Sequence, residues 1–175
     1  SLAIENNMIT HCPEVREKLE SFGIPVLVDS SSYESHPLGR VEWVKLYGVL
    51  IGREKEAQEA FDRQEKALER VGSQEASGKT VAFFYITANG MVSVRASSDY
   101  IPAIINLAGG RYIFEDLGEE GGRSTVTMQM EEFYHRAKEA DFLIYNSTID
   151  GEMETVEELI RREELLKDFK AVKQG

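Results

Sequence analysis

The spacing of apolar residues changes several times along the chain, and each change marks an element. From Pro13 to Phe22, Val15 and Leu19 share one face, which predicts a short helix stopped by Gly23. Ile24–Asp29 (IPVLVD) is nearly all apolar, and a strand of that kind is expected to be buried on both faces, as in parallel α/β sheets. The run SSSYESHP then makes a loop at that strand's carboxyl end. From about Leu38 to Val71 a helical period takes over, interrupted near Gly52. Val41, Val44, Tyr47, Leu50 and Ile51 recur before the break, and Ala57, Phe61, Leu68 and Val71 after it. The second of these helices is about 18 residues, or about 27 Å long at 1.5 Å per residue. GSQEASGK reads as a turn or short linker.

Beyond Thr80 the period shortens. TVAFFYI reads as a buried strand, Ala88–Gly90 as a turn, and MVSVR as an alternating strand with Val92 and Val94 on one face. Ser98 is placed to cap a helix that holds Pro102 in its first turn and ends at Gly109-Gly110. A short YIF segment and a Gly-rich loop, GEEGGRS, come next, then a helix over about Gln129–Glu139 and a strand, DFLIYN (Asp141–Asn146). Thr155 and Glu158 form a capping box for a helix carrying Val156, Leu159, Ile160 and Leu166. The closing FKAV reads as the start of a further strand. Strand and helix alternate through this half, which predicts an α/β fold with helices flanking a mostly parallel sheet.

Composition narrows the function classes. With 42% hydrophobic and 29% charged residues, the chain is neither disordered nor fibrous, and it has no apolar run long enough to span a bilayer. Its formal charge of −11 argues against nucleic acid, which needs a basic face. Cys12 is the one cysteine, so an internal disulfide and a cysteine-based zinc site are excluded. No charged region followed by an apolar core stands at the start, so no export signal is read there.

Catalytic patterns are missing. GSQEASGKT has five residues between Gly72 and Gly78 where a phosphate loop needs four, and it leads from a helix into a strand, the wrong order. His11, His36 and His135 are scattered; His36, in a loop after a strand, is the one placed for ligand contact. No GxSxG elbow and no strand-borne GxGxxG is present. Asn146-Ser147-Thr148 fits the short glycosylation pattern, which arises often by chance. Placement is more informative, because ligands of open α/β sheets sit beyond the carboxyl ends of strands. Those ends carry Ser31, Tyr33 and Glu34; Thr87, Ala88 and Asn89; and Asn146, Ser147 and Thr148. Such groups suit hydrogen-bonding a ligand rather than attacking one. Tyr100, at a helix start, offers a ring and a hydroxyl, while Arg95 and Arg123 can pair with anionic ligand groups.

Three blocks carry a family resemblance: HPLGRVEWVKLYGVLIGREKEAQEAF, DYIPAIINLAGGRYIFEDL and MEEFYHRAKEADFLIYNSTIDGE. Together they resemble extracytoplasmic solute-binding proteins of ABC importers for iron-siderophore, haem and cobalamin. The resemblance implies two α/β lobes joined by one rigid backbone helix, with the ligand held between the lobes. Under it, residues 1–37 are the tail of the amino-terminal lobe, 38–78 a helical linker with the backbone helix, and 79–175 the carboxy-terminal lobe. The chain is then expected to be a fragment, with most of the first lobe outside it. The implied partners are an iron chelate, haem or a corrinoid and a permease–ATPase complex, with no cofactor, no catalysis, and membrane contact only through a lipid anchor on the parent. Ligand contacts are expected from Tyr33, Glu34, Asn89, Arg95, Tyr100, Arg123, Asn146 and Ser147. A docking glutamate at a helix start is matched by Glu131, with Glu132 as the competing position. Trp43, the one tryptophan, lies on the bridging helices and is expected in the core. The rival readings are a metal-cofactor enzyme subunit on a related two-lobed scaffold and a doubly wound receiver or nucleotide-binding domain. The first needs more Cys or His ligands than Cys12 and His36, and the second a phosphate loop or an acidic pocket.

Overall fold

The computed structural model describes residues 1–118, 124–149 and 153–174. The chain divides into two compact units, Ser1–Asp62 and Arg63–Gly175.

The first unit begins with strand β1 (Ala3–Asn6), which the hydrophobic pattern does not mark because only four residues precede a turn. A 3-10 helix (Asn7–His11) and helix α1 (Pro13–Ser21) lead to β2 (Val26–Asp29). The two strands pair in parallel, Ala3 opposite Val26 and Asn6 opposite Asp29. β2 is half-buried along its whole length, which corrects the expectation of a strand covered on both faces: among the described residues its sheet has two strands. Helix α2 (Pro37–Ile51) opens with Pro37 in its first turn, where a missing N–H costs nothing. Its cap is His36, whose Nδ1 accepts from the Leu38 amide at 3.2 Å. Gly52 ends it in the left-handed conformation (φ 67°), and α3 (Glu54–Gly72) follows at once. The turn is tight because Gly48 lets the helices close: a Cβ there would lie 2.4 Å from that of Ala57. Behind it Ala57 and Phe61 are buried, and Lys45 Nζ sits 3.5 Å from the Phe61 ring centre.

Polar contacts tie the strand to the helix. The Tyr47 hydroxyl donates to Asp29 at 2.6 Å, and the Ser31 amide donates to the same carboxylate at 2.7 Å. Arg40 donates to the carbonyls of Glu34 (3.0 Å) and Ser32 (2.6 Å). Trp43 is half-buried rather than a core residue, and its indole N–H donates to the Glu34 carboxylate at 3.3 Å.

The second unit is built on β3 (Thr80–Ile86). One edge of β3 pairs in parallel with β7 (Phe142–Tyr145). The other edge pairs first in parallel with β5 (Arg111–Tyr112) and then antiparallel with β4 (Val92–Arg95). β6 (Thr125–Met128), which the sequence pattern also leaves unmarked, adds antiparallel to β4. The sheet is therefore mixed. Alternation along it sends Ala82, Phe84 and Ile86 of β3, Val92 and Val94 of β4, and Met128 of β6 into the core. Helix α5 (Met130–Ala137) lays Met130, Phe133 and Ala137 in that core. Phe133 is its centre, with ring centroids of Phe84, Phe169 and Phe114 at 4.6, 5.5 and 5.8 Å.

Helix α4 (Tyr100–Leu107) is capped by Asp99 rather than Ser98: the Asp99 carboxylate accepts from the Ile101 amide at 3.0 Å. The predicted capping box is present at α6 (Val156–Arg162), with Thr155 Oγ1 accepting from the Glu158 amide at 3.2 Å. Leu166 is fully buried but lies past that helix, in a 3-10 helix (Glu164–Asp168). The closing FKAV is not a strand. Lys170–Lys173 is a helical turn, α7, because the Lys170 amide donates to the Lys138 carbonyl (2.8 Å) and Phe169 enters the core. Asp141 locks the start of the sheet, accepting from the Thr80 amide (2.9 Å), Thr80 Oγ1 (3.0 Å) and Lys170 Nζ (2.7 Å).

Candidate functional site

Strand direction decides which of the expected residues meet. In the first unit, parallel pairing brings the carboxyl ends of β1 and β2 side by side. There Asn6, Asn7, Met8, His11, Asp29, Ser31, Ser32 and Tyr33 line a shallow depression of about 380 Å³. Tyr33 is 76% exposed and stands at its rim. Asn7 and Ser32 hold the two walls together through a 2.8 Å hydrogen bond. Asp29 is committed inward, since the Tyr47 hydroxyl and then the Ser31 amide hold its carboxyl below the usual range, while the same bond pushes the Tyr47 hydroxyl up. Glu34 is committed too, through Trp43. The asparagines and Met8 escaped sequence reasoning because β1 did; a strand assigned to AIEN places Asn6 and Asn7 at its carboxyl end directly.

In the second unit the expected residues fall at two ends of one sheet. β3 and β7 run parallel, so Thr87, Asn89, Asn146 and Ser147 lie at the same end. The Asn146 amide donates to the Phe84 carbonyl at 2.8 Å, and its side-chain oxygen accepts from Thr148 Oγ1 at 2.7 Å. Thr87 Oγ1 bonds Asn89 in the β3–β4 turn. Arg162, which the sequence did not single out, donates to the Ile86 carbonyl at 3.1 Å. β6 ends opposite the start of β4, Met128 against Val92, so the first turn of α5 with Glu131 and Glu132 belongs to this end as well. Both glutamates are exposed, and neither has an ion-pair or hydrogen-bond partner among the described residues.

Arg95 and Tyr100 belong to the other end. β4 runs antiparallel to β3, so Arg95 lies about 10 Å from Val92, at three residues of about 3.3 Å each. Tyr100 starts α4 just beyond it. The Tyr112 hydroxyl donates to the Arg95 carbonyl at 2.8 Å, and burial pushes that hydroxyl's pKa well up. The guanidinium lies 5.8 Å from the Phe83 ring centre, and its Nη1 is 3.6 Å from Asp99. Arg123 falls outside the described residues. No cluster of three or more His, Cys, Asp or Glu suited to a metal ion occurs among the described residues, and none of their helices is long and apolar enough to cross a membrane.

The mixed α/β sheet, the paired helices around Gly52 and the polar strand ends describe a solute-binding fold. The chain belongs to the periplasmic binding protein family, whose model matches residues 6–175. Its similar relatives include two proteins of Methanocaldococcus jannaschii. The uncharacterized lipoprotein MJ0878 is 31% identical over 133 residues, covering 75% of this chain and 31% of that one. A second, the uncharacterized lipoprotein MJ0872, is 28% identical over 167 residues, covering 92% of this chain and 41% of that one. Among solved structures, the periplasmic haem-binding protein HutB of Vibrio cholerae matches with a TM-score of 0.77 at 16% identity, covering 99% of this chain and 64% of that one. A siderophore periplasmic binding protein of Thermobifida fusca matches at 0.69 and 18%, covering 100% and 63%. The chain therefore spans less than half the length of these curated relatives and under two thirds of these solved chains.

Proposed function

We propose that the chain is part of the substrate-binding component of an ABC importer that captures an iron complex, a siderophore or haem, outside the cytoplasmic membrane and hands it to the permease. Family membership across residues 6–175 carries this reading. Haem- and siderophore-binding proteins among the structural neighbours support the cargo class, with a corrinoid as the next choice. The lipoprotein relatives support an anchored, extracytoplasmic parent. On this reading residues 1–37 belong to the amino-terminal lobe and 79–175 to the carboxy-terminal one.

The two ends of the second sheet take different tasks. Arg95 and Tyr100 face ligand, while Glu131 docks onto permease arginines; Arg123, which falls outside the described residues, keeps its expected ligand contact as part of the same proposal. Asn89, Asn146 and Ser147, expected as ligand contacts, share the sheet end of Glu131 rather than that of Arg95 and Tyr100, so we assign them to the polar surface there. Tyr33 and the asparagine-lined depression supply ligand contacts from the first unit, with Glu34 fastening their support.

The test is titration of the full-length protein with ferric siderophores, haem and cobalamin, followed by tyrosine and Trp43 fluorescence. Saturable binding of an iron complex at micromolar concentration or tighter is expected. A folded protein that responds to none of the three overturns the reading. In the reconstituted transporter, Glu131→Ala is expected to leave ligand affinity intact and reduce stimulation of the ATPase; full stimulation rejects the docking assignment.

A further inference from the structure

Tyr33 is 76% exposed, yet the loop that carries it is fastened along its length. Ser31–Tyr33 is a single 3-10 turn, with the Tyr33 amide donating to the Ser30 carbonyl (2.9 Å) and the Glu34 amide to the Ser31 carbonyl (3.2 Å). One turn of this kind does not hold itself, because fixing its dihedrals costs more than its own hydrogen bonds return. Contacts from outside the turn supply the difference. Asp29 anchors the start through the Ser31 amide (2.7 Å), and the Asn7 side-chain amide donates to the Ser32 hydroxyl (2.8 Å). The end is held by α2. Arg40 Nη2 donates to the Ser32 carbonyl at 2.6 Å and Nε to the Glu34 carbonyl at 3.0 Å. One edge of the guanidinium thus brackets Tyr33 between two fixed acceptors.

A neighbouring row on α2 extends the grip. Gly39, Trp43 and Tyr47 recur every four residues and share a face of the helix. The Glu34 carboxylate reaches the Trp43 indole (3.3 Å) across Gly39, where a Cβ would lie 2.9 Å from Glu34 Oε2. Any larger residue at 39 therefore pushes that carboxylate aside. Tyr47 completes the row on Asp29 at 2.6 Å. None of these contacts buries Tyr33, so the fold gains no core from the ring. What they produce is an exposed aromatic on a rigid backbone, at the rim of the depression where β1 and β2 end. A ring presented in that way meets a partner without the entropy cost of ordering its loop.

Resting on the solute-binding reading above, we propose that Arg40 is a positioning residue for the ligand: it touches no ligand itself and acts by holding Tyr33 in the orientation that meets one. Gly39 serves the same end, since its missing side chain leaves room for Glu34 to fasten the far side of the loop to Trp43.

The experiment titrates the full-length protein and its variants with haem, a ferric tris-catecholate and a ferric trihydroxamate. For whichever of these binds, Tyr33→Ala is expected to weaken binding by ~10-fold. Arg40→Gln should weaken it by ~3- to 10-fold, the cost of ordering a released loop. The double variant should lose less than ~2-fold beyond Tyr33→Ala, because Arg40 acts through Tyr33. Losses that add in the double variant, or wild-type affinity in Arg40→Gln, overturn the assignment and spare the broader reading. Gly39→Ala separates positioning from a merely structural role, and decides the matter if an Arg40 variant does not fold. Alanine favours helix and the end of the Glu34 side chain can move, so the melting temperature is expected to hold or rise. Trp43 emission should nonetheless change, and affinity should fall by ~2- to 5-fold. Unchanged affinity in Gly39→Ala rejects the proposal. A folded parent that binds none of the three probes overturns the solute-binding reading, and the positioning role with it.

Discussion

The two units differ in what holds them together. The second encloses Phe84, Tyr112, Phe114, Phe133, Leu166 and Phe169 with essentially no exposure, and its aromatic rings touch edge to face and in tilted stacks around Phe133. In the first, the buried apolar side chains are Ile9, Ala57 and Phe61, and Met8, Phe22, Val49 and Ile51 each expose more than half of their surface. That unit leans instead on polar fasteners, Tyr47 to Asp29, Arg40 to two carbonyls and Trp43 to Glu34. Burial scales with apolar area removed from water, whereas each exchanged hydrogen bond nets only about 1 kcal/mol. The second unit therefore has a core of its own, and the first has much less to stand on.

The largest expected effect that would break this contrast is at Phe133. Phe133→Ala empties the middle of the aromatic cluster and should cost about 3–5 kcal/mol in denaturant unfolding. If Phe22→Ala costs as much, the contrast fails. Next is Asp141→Asn. Lys170 first, then the Thr80 amide and hydroxyl, hold the Asp141 carboxyl far below the usual range. A depressed folded-state pKa means that the stabilisation is complete above about pH 4 and fades as the pH falls toward the folded value. The wild-type protein should thus lose stability on acidification below about pH 4. The Asn variant should be weaker at neutral pH and flatter across that acid limb, as thermal melts at stepped pH would reveal.

Tyr47→Phe deletes one fastener of the first unit and should cost about 1 kcal/mol, with faster amide exchange in β2 and little change in β3. The smallest effect is expected at Ile51, 71% exposed at the end of α2: Ile51→Ser should stay within about 0.5 kcal/mol. A larger loss there would sharpen the comparison by revealing that the first unit buries this face in solution.

Much of the fold is legible along the chain for local reasons. The break at Gly52, the capping box at Thr155 and Glu158, and the turn before Met91 are each written in a few adjacent residues whose backbone preferences agree. The missed strands β1 and β6 are four residues each, too short to display a period, and they exist because β2 and β4 offer them an edge. At α4 the run from Ser97 to Asp99 contains three residues able to cap, and only the path of the chain selected Asp99. FKAV has the composition of a strand, but contacts with Lys138 and the core made it a helical turn.

The candidate site divides the same way. Sequence by itself determined which side chains are available, small polar groups after apolar strands, two arginines and a glutamate at a helix start, because these types follow from local pattern. It also carried the family, whose match runs over residues 6–175. Only the tertiary structure decided which of them stand together. A strand's direction is set by its neighbours, so the antiparallel course of β4 put Arg95 at the end of the sheet away from Asn89, Asn146 and Glu131. Only packing decided that Arg40 meets two carbonyls while Arg95 Nε meets no acceptor among the described residues, because a hydrogen bond depends on where the chain brings an acceptor, and no run of adjacent residues encodes that.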